Sequence, residues 1–93
     1  MAYAIVFTRS AANELLRLPK AIRRQFDTGF GELSRSPFRP VSGTLDVHAL
    51  KGGHGLWTMR VRGYRGLYRV VGDEVVFVAF RPRPTAYRDL STI

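Results

Sequence analysis

The alternation of apolar and polar residues predicts a strand and then a helix at the start of the chain. Residues 3–7, YAIVF, are β-branched or aromatic, which is typical of a short buried strand. The spacing then becomes helical, and the hydroxyl group of Thr8 or Ser10 can cap this helix. Three apolar residues fall on one face of the helix, namely Ala11, Leu15 and Leu18.

A second helix is predicted after Pro19, which ends the first helix and suits the first turn of the next. Apolar residues recur every three or four positions, at Ile22, Phe26, Phe30 and Leu33. Gly29 and Gly31 weaken this helix, each by up to about 1 kcal/mol relative to alanine, and leave room for close packing on a sheet. The two helices are expected to fold back on each other as a hairpin.

The rest of the chain is rich in β-type patterns. Residues 34–55 contain many Pro, Gly and Ser residues and predict a long loop, in which the alternating residues 44–50 add one weak strand. Three further strands are predicted over residues 56–62, 65–71 and 74–80, with tight turns at residues 63–64 and 72–73. The order of elements is a strand, a helical hairpin and a three-stranded meander. This order predicts an α+β fold with the helices on one face of a mostly antiparallel sheet. Residues 1–93 are expected to form a single domain.

Strand periodicity divides the meander into a packing set and a charged set. The packing set, expected to meet the helices, comprises Trp57, Met59, Val61, Gly66, Tyr68 and Val70. The charged set, expected to line a second face that is open to solvent, comprises Thr58, Arg60, Arg62, Arg65, Leu67 and Arg69. Strict alternation places Arg81 on the same face as the apolar residues of its own strand. Whether its side chain joins the charged set therefore depends on a twist or bulge near the prolines that follow.

The charge balance changes the picture from an ordinary small fold to one that attracts polyanions. Lys and Arg total 15 against 7 Asp and Glu, which gives a net charge of +8, and only two of the cations are lysines. Arginine binds phosphate through two parallel hydrogen bonds and stacks on bases, so this surface favours RNA, although a solvated sheet face remains the plainer alternative. Cysteine is absent, which excludes disulfides and thiolate metal sites, and no segment suits a membrane span or signal peptide. A soluble cytoplasmic protein is expected.

Several motifs in fixed order resemble the RelE/ParE superfamily of toxins from toxin–antitoxin systems. They are ANELLRLP, LSRSP, LKGG and MRVRGYRGLYRV, followed by an arginine-rich strand end and a tyrosine. The resemblance implies a small toxin neutralised by a cognate antitoxin. RelE-type members cleave mRNA in the ribosomal A site without a metal or cofactor, by attack of the 2′-hydroxyl on the adjacent phosphodiester. ParE-type members share the fold, poison DNA gyrase and lack the nuclease residues.

The resemblance also implies roles for individual residues. Arg65 and Arg81 match the family's phosphate-binding arginines, Tyr87 matches its catalytic tyrosine, and Arg60 matches a basic strand residue. Guanidinium groups can stabilise the negative charge that develops on the phosphorane, and a tyrosine among cations can transfer protons. The cations expected to attract RNA are Lys51, Arg62, Arg69, Arg83 and Arg88.

Other residues and functions stay open at this point. Some RelE members carry a second lysine where this chain has Thr58 or Trp57, which makes His54 an outside candidate for the general base. Trp57, Tyr64 and Tyr68 are interpreted as packing residues rather than base-stacking ones. The alternatives to a ribosome-dependent nuclease are a gyrase poison and a non-enzymatic basic binding module. An acidic antitoxin segment is expected to wrap the helices or cover the basic face.

Overall fold

The computed structural model describes residues 2–38, 46–50 and 55–82. The elements in chain order are β1 (Ala4–Phe7), α1 (Arg9–Leu16), α2 (Lys20–Arg35), β2 (Asp46–Ala49), β3 (Trp57–Val61), β4 (Tyr64–Val71) and β5 (Glu74–Pro82). The α+β fold class is therefore confirmed, and the weak strand expected within the long loop is present as β2.

The five strands form one mixed sheet in the order β1-β5-β4-β3-β2. Strands β2 to β5 are an antiparallel meander, whereas β1 pairs in parallel with β5. This parallel pairing covers only the first part of β5, from Glu74 to Phe77. Helix α1 packs beside β5 and contacts it more extensively than it contacts β1, so the remainder of β5 has a helix as its neighbour.

Local hydrogen bonds explain where the two helices begin and how they are attached to the sheet. The Thr8 hydroxyl accepts a hydrogen bond from the Ala11 backbone N–H at 3.1 Å, so Thr8 rather than Ser10 caps α1. Pro19 occupies the cap position of α2. Ser34, near the end of α2, exchanges two hydrogen bonds with the backbone of Tyr3, at 2.6 and 2.7 Å.

Neither of these helices is long and apolar enough to span a membrane, within the described part of the chain.

Phenylalanine rings fill the space between the helices and the sheet. Phe77 and Phe80 of β5 stack at a centroid distance of 4.8 Å, and Phe26 of α2 meets Phe80 edge-on at 5.1 Å. These rings lie over Gly66 of β4, where an added Cβ atom would come within 3.0 Å of Phe77 and Phe80 and 3.2 Å of Phe26. The missing side chain of Gly66 is therefore the space that the aromatic cluster occupies.

A β-bulge in β5 decides which side chains join this cluster. Leu67 is paired with Ala79, but the next residue, Tyr68, is paired with Phe77, so β5 contains one extra residue, Val78. The extra residue reverses the alternation of the strand. Phe77 and Phe80 therefore both face the helices, while Arg81 turns to the opposite face. The dependence of Arg81 on a bulge is confirmed.

Two expectations about the meander were wrong. The tight turn lies at Arg62–Gly63, since Val61 is paired with Tyr64 across it, and Tyr64 is the first residue of β4. The second face of the sheet is also not open throughout, because Thr58 and Leu67 are fully buried. Periodicity assigns a side chain to one side of a sheet but carries no information about what covers that side.

The packing over Gly66 generates a test. We expect Gly66→Ala to destabilise the fold by about 1–3 kcal/mol, because the new methyl group overpacks the aromatic cluster. Urea unfolding followed by tryptophan fluorescence measures this change. Gly31→Ala on α2 is the matched control, because nothing lies within 4 Å of the Cβ position of residue 31. This variant should be as stable as wild type or more stable, since alanine favours a helix over glycine by up to about 1 kcal/mol. Equal stability of Gly66→Ala and wild type would contradict the close packing.

Candidate nucleic-acid interface

Three arginines form a row across neighbouring strands. Arg60 of β3 is the register partner of Arg65 of β4, and Arg65 is in turn the partner of Arg81 of β5. Directly opposite residues share one face of a sheet, with Cβ atoms about 5 Å apart, and like charges at this spacing are destabilising. We call Arg60, Arg65 and Arg81 the arginine row. Each member needs hydrogen-bond acceptors that offset this repulsion.

Arg60 is paired with a carboxylate on the next strand. Asp46 of β2 is its register partner, and the Arg60 Nε lies 3.2 Å from the Asp46 Oδ2. Both side chains are about half exposed, so this pair is worth at most about 1 kcal/mol. The His48 Nδ1 lies 3.7 Å from the other carboxylate oxygen of Asp46 and adds an ion pair only when the imidazole is protonated.

Arg65 occupies the centre of the row and is 4% exposed. Its Nη1 donates hydrogen bonds to the backbone carbonyls of Arg62 and Tyr64, both at 3.1 Å. No carboxylate pairs with it among the described residues. Among the described residues, the positive charge of Arg65 is therefore held by peptide dipoles, in a buried position where electrostatic interactions are strong.

Arg81 is held by a carboxylate from the helical layer. Its Nε lies 3.0 Å from the Glu14 Oε2, and both side chains are about one quarter exposed or less, at 22% and 24%. The other carboxylate oxygen of Glu14 accepts a hydrogen bond from the Phe80 backbone N–H at 3.2 Å. Glu14 thus links α1 to β5 at the end of the row.

The sequence pattern did not indicate Glu14 and Asp46 as partners of the row, because the arginine-rich residues 59–72 contain no acid and both carboxylates lie outside them. A signal existed for Asp46, because residues 44–50 were expected to form a strand and a neighbouring strand brings its alternate side chains beside the arginines. For Glu14 the sequence contains only its place in the ANELLRLP motif, on a helix far along the chain from Arg81.

The other candidate cations are not part of the row. Arg62 was expected on the sheet face, but it is an exposed turn residue. Its φ of 54° lies in the left-handed region that few non-glycine residues adopt. Arg69 is half-buried and pairs with Val76, and its Nε has no hydrogen-bond partner in the described part of the chain. Four candidates lie outside the described residues, namely Lys51, Arg83, Tyr87 and Arg88, as does His54.

The aromatic residues of the meander belong to the core, as expected. Tyr68 is fully buried and its hydroxyl donates a 2.6 Å hydrogen bond to the Pro37 carbonyl. Burial raises the pKa of the Tyr68 phenol above its ordinary value, so this group stays protonated and is not a general base. Trp57 packs against Phe38 at a centroid distance of 5.2 Å, and Tyr64 packs against the core.

An open groove of about 430 Å³ lies between α2 and β3. Arg24 of α2 and Arg62 of the turn contribute guanidinium groups to its wall, and Val61 contributes apolar surface. Arg60 also lines the groove, so it adjoins one end of the arginine row. Within residues 2–38, 46–50 and 55–82, no cluster of three or more His, Asp or Glu side chains could hold a metal ion.

Comparison with known families agrees with this architecture. Residues 5–87 match the family of ParE toxins of type II toxin–antitoxin systems, parDE. The chain belongs to this family. The resemblance to the RelE/ParE superfamily that the motifs indicated is thereby confirmed, and the protein is a toxin of a toxin–antitoxin system. No curated protein matches the toxin significantly in sequence.

Solved structures similar to this toxin include RelE toxins. The RelB–RelE complex of Methanococcus jannaschii matches with a TM-score of 0.72 and 26% identity over 88% of this chain and 94% of that one. The RelE–RelB complex of Pyrococcus horikoshii matches with a TM-score of 0.72 and 27% identity over 92% and 100%. RelBE2 of Mycobacterium tuberculosis matches with a TM-score of 0.68 and 29% identity over 89% and 100%.

The turn assignment of Arg62 can be tested in this toxin by two opposite substitutions. We expect Arg62→Gly to leave the free energy of unfolding within about 1 kcal/mol of wild type, because glycine adopts a positive φ freely. Arg62→Val should cost more than about 1 kcal/mol, because a β-branched residue is strained at that backbone conformation. Thermal and urea unfolding measure both changes. A valine variant more stable than the glycine variant would instead indicate a strand residue.

Proposed function

We propose that this toxin is a ribosome-dependent mRNA endonuclease that inhibits translation. The observation that carries the proposal is the arginine row, which aligns Arg65 and Arg81 directly opposite each other on adjacent strands. These are the two positions that match phosphate-binding arginines in the RelE-type pattern. A phosphodiester bound across the row would meet two fixed guanidinium groups, with Arg60 one strand further along.

In the proposed reaction the 2′-hydroxyl oxygen attacks the adjacent phosphorus and the bond from phosphorus to the 5′-oxygen breaks. The products are a 2′,3′-cyclic phosphate and a free 5′-hydroxyl. The proton of the 2′-hydroxyl passes to a base, and the leaving 5′-oxygen gains a proton. Arg65 and Arg81 stabilise the charge that develops on the phosphorane. Arginine stays protonated, so neither group is the base.

Tyr87 is the residue that we propose for proton transfer, from its match to the catalytic tyrosine of the family. Of the two tyrosines of β4, Tyr64 packs against the core, and Tyr68 is committed to the Pro37 carbonyl and stays protonated. This argument by exclusion supports Tyr87, which lies outside the described residues.

The charge balance of the row supports an anionic substrate. Asp46 and Glu14 offset the two outer arginines, and the acceptors of Arg65 between them are, among the described residues, backbone carbonyls. One positive charge therefore remains at the centre, where low exposure strengthens its field. Lys51, Arg62, Arg69, Arg83 and Arg88 are proposed to add further contacts with RNA or the antitoxin.

A cognate antitoxin is the second proposed partner, in keeping with the RelB–RelE complexes among the similar structures. The groove between α2 and β3 fits an acidic segment of such a partner, because its described lining has three arginines, Arg24, Arg60 and Arg62, against one acid, Glu32. We also propose that the toxin forms a single domain over residues 1–93 and acts in the cytoplasm.

A ParE-like gyrase poison is the competing function, and the family that matches residues 5–87 favours it by name. In that case the arginine row would bind an acidic protein surface or DNA without chemistry. The two functions differ in product, since only the nuclease creates new mRNA ends. Only the gyrase poison inhibits supercoiling.

Mapping of mRNA ends tests the nuclease. Purified toxin is added to a translating extract, and the ends are located by primer extension. We expect Arg81→Ala to reduce cleavage by about 10²–10³-fold, because one donor to the developing charge is lost. Arg65→Lys should reduce it similarly, because an ammonium group cannot reproduce the planar fork of arginine.

Arg17→Ala is the matched control, since it also removes one arginine but from the exposed end of α1. Its cleavage should stay close to wild type, and circular dichroism melts establish that every variant is folded. Intact mRNA with a wild-type toxin that blocks growth would overturn the nuclease. Inhibition of gyrase supercoiling by the same preparation would then assign the ParE-like function.

A further inference from the structure

Glu14 has an unusual position for a carboxylate on a helix. It reaches from α1 to β5 and uses both of its oxygens there, one for the Phe80 N–H and one for the Arg81 guanidinium. Side chains on a helix surface are ordinarily solvated, yet Glu14 is only 24% exposed. A partly buried carboxylate with two charge-assisted or backbone hydrogen bonds has a fixed geometry.

The end of β1 explains why this contact forms. Phe77 is the last residue of β5 that is paired with β1, and the backbone of the strand beyond it requires other partners. Glu14 supplies the acceptor that a neighbouring strand would otherwise provide for Phe80. The same carboxylate is then beside residue 81, whose side chain lies on the opposite face from those of Phe77 and Phe80.

We propose that Glu14 is a positioning residue for Arg81, a role that rests on the proposed nuclease function. By accepting a hydrogen bond from Nε, Glu14 fixes the plane of the guanidinium group. In the proposed mechanism the guanidinium group, held in this plane, meets the scissile phosphate. Pre-orientation of this kind lowers the cost of binding the phosphate, because the long arginine side chain is already ordered.

Two other roles for Glu14 are chemically distinct. A general base must lie within hydrogen-bond reach of the 2′-hydroxyl and accept its proton, whereas the positioning role uses the Glu14 oxygens to hold the Phe80 N–H and Arg81. A competitor that masks Arg81 would weaken phosphate binding rather than support it. The positioning role and the competitor role make opposite predictions for RNA binding by a variant that lacks the negative charge of Glu14.

Glu14→Gln is the informative substitution, because an amide oxygen can still accept the Phe80 N–H while the charged contact with Arg81 is lost. Asp27→Asn is the matched control: it removes the same charge from an exposed position on α2. Glu14→Asp keeps the charge on a shorter side chain. Thermal melts establish that all three variants are folded.

The first measurement is nuclear magnetic resonance of the Arg81 Nε–H, which does not require activity. A slowly exchanging signal is expected in wild type and in Asp27→Asn, and fast exchange is expected in Glu14→Gln. The second measurement is cleavage on programmed ribosomes, where the KM of Glu14→Gln should rise about ten- to a hundredfold through loss of a charged hydrogen bond, with partial recovery in Glu14→Asp. Its pH profile should match that of wild type.

Each result that would contradict the positioning role can be distinguished from the others. An Arg81 signal that Glu14→Gln leaves unchanged overturns the contact, and an unchanged KM overturns the positioning role. Loss of the acidic limb of the pH profile with a fall in kcat alone would make Glu14 the general base. Tighter binding by Glu14→Gln of mRNA with a 2′-deoxy cleavage position would make it a competitor. Absence of cleavage by the wild type overturns the proposed nuclease itself, and this inference with it.

Discussion

The repulsion among three guanidinium groups in one row of the sheet is the constraint on which the site depends. Arg60, Arg65 and Arg81 lie on adjacent strands in direct register, which is unfavourable unless each charge has acceptors. The acceptors come from three different sources: a neighbouring strand supplies Asp46, the β3–β4 turn supplies backbone carbonyls, and helix α1 supplies Glu14. The site is therefore a product of the whole fold and not of one motif.

The bulge at Val78 couples this site to the core. One extra residue in β5 lets Phe77 and Phe80 both pack over Gly66 and, by the same reversal, turns Arg81 toward Arg65. A regular strand would send either Phe77, or Phe80 and Arg81 together, to the wrong side of the sheet. Core packing and the alignment of the arginines are thus two consequences of the same backbone irregularity, in keeping with the frequent occurrence of bulges beside functional sites.

Membership of the toxin family and the chemistry of the row answer different questions. The family match and the similar RelE structures establish a toxin with this fold. Related folds host different activities, so the target follows from the side chains at the site. A row whose central arginine lacks a carboxylate partner among described residues suits a phosphodiester, which is why we propose the nuclease rather than a gyrase poison.

Local pattern by itself determined the elements of this protein. Helical spacing and the Thr8 cap predicted α1, apolar recurrence after Pro19 predicted α2, and alternation predicted the strands and the core roles of Met59 and Tyr68. Sequence motifs also indicated Arg60, Arg65 and Arg81 as candidate site residues, because a motif consists of residue types in a fixed order and can be recognised without coordinates. Only the tertiary structure decided the direction of Arg81, the burial of Arg65 and Thr58, and the pairing with Glu14 and Asp46. Those properties depend on strand register, a one-residue bulge and contacts between distant segments, and no local periodicity encodes them.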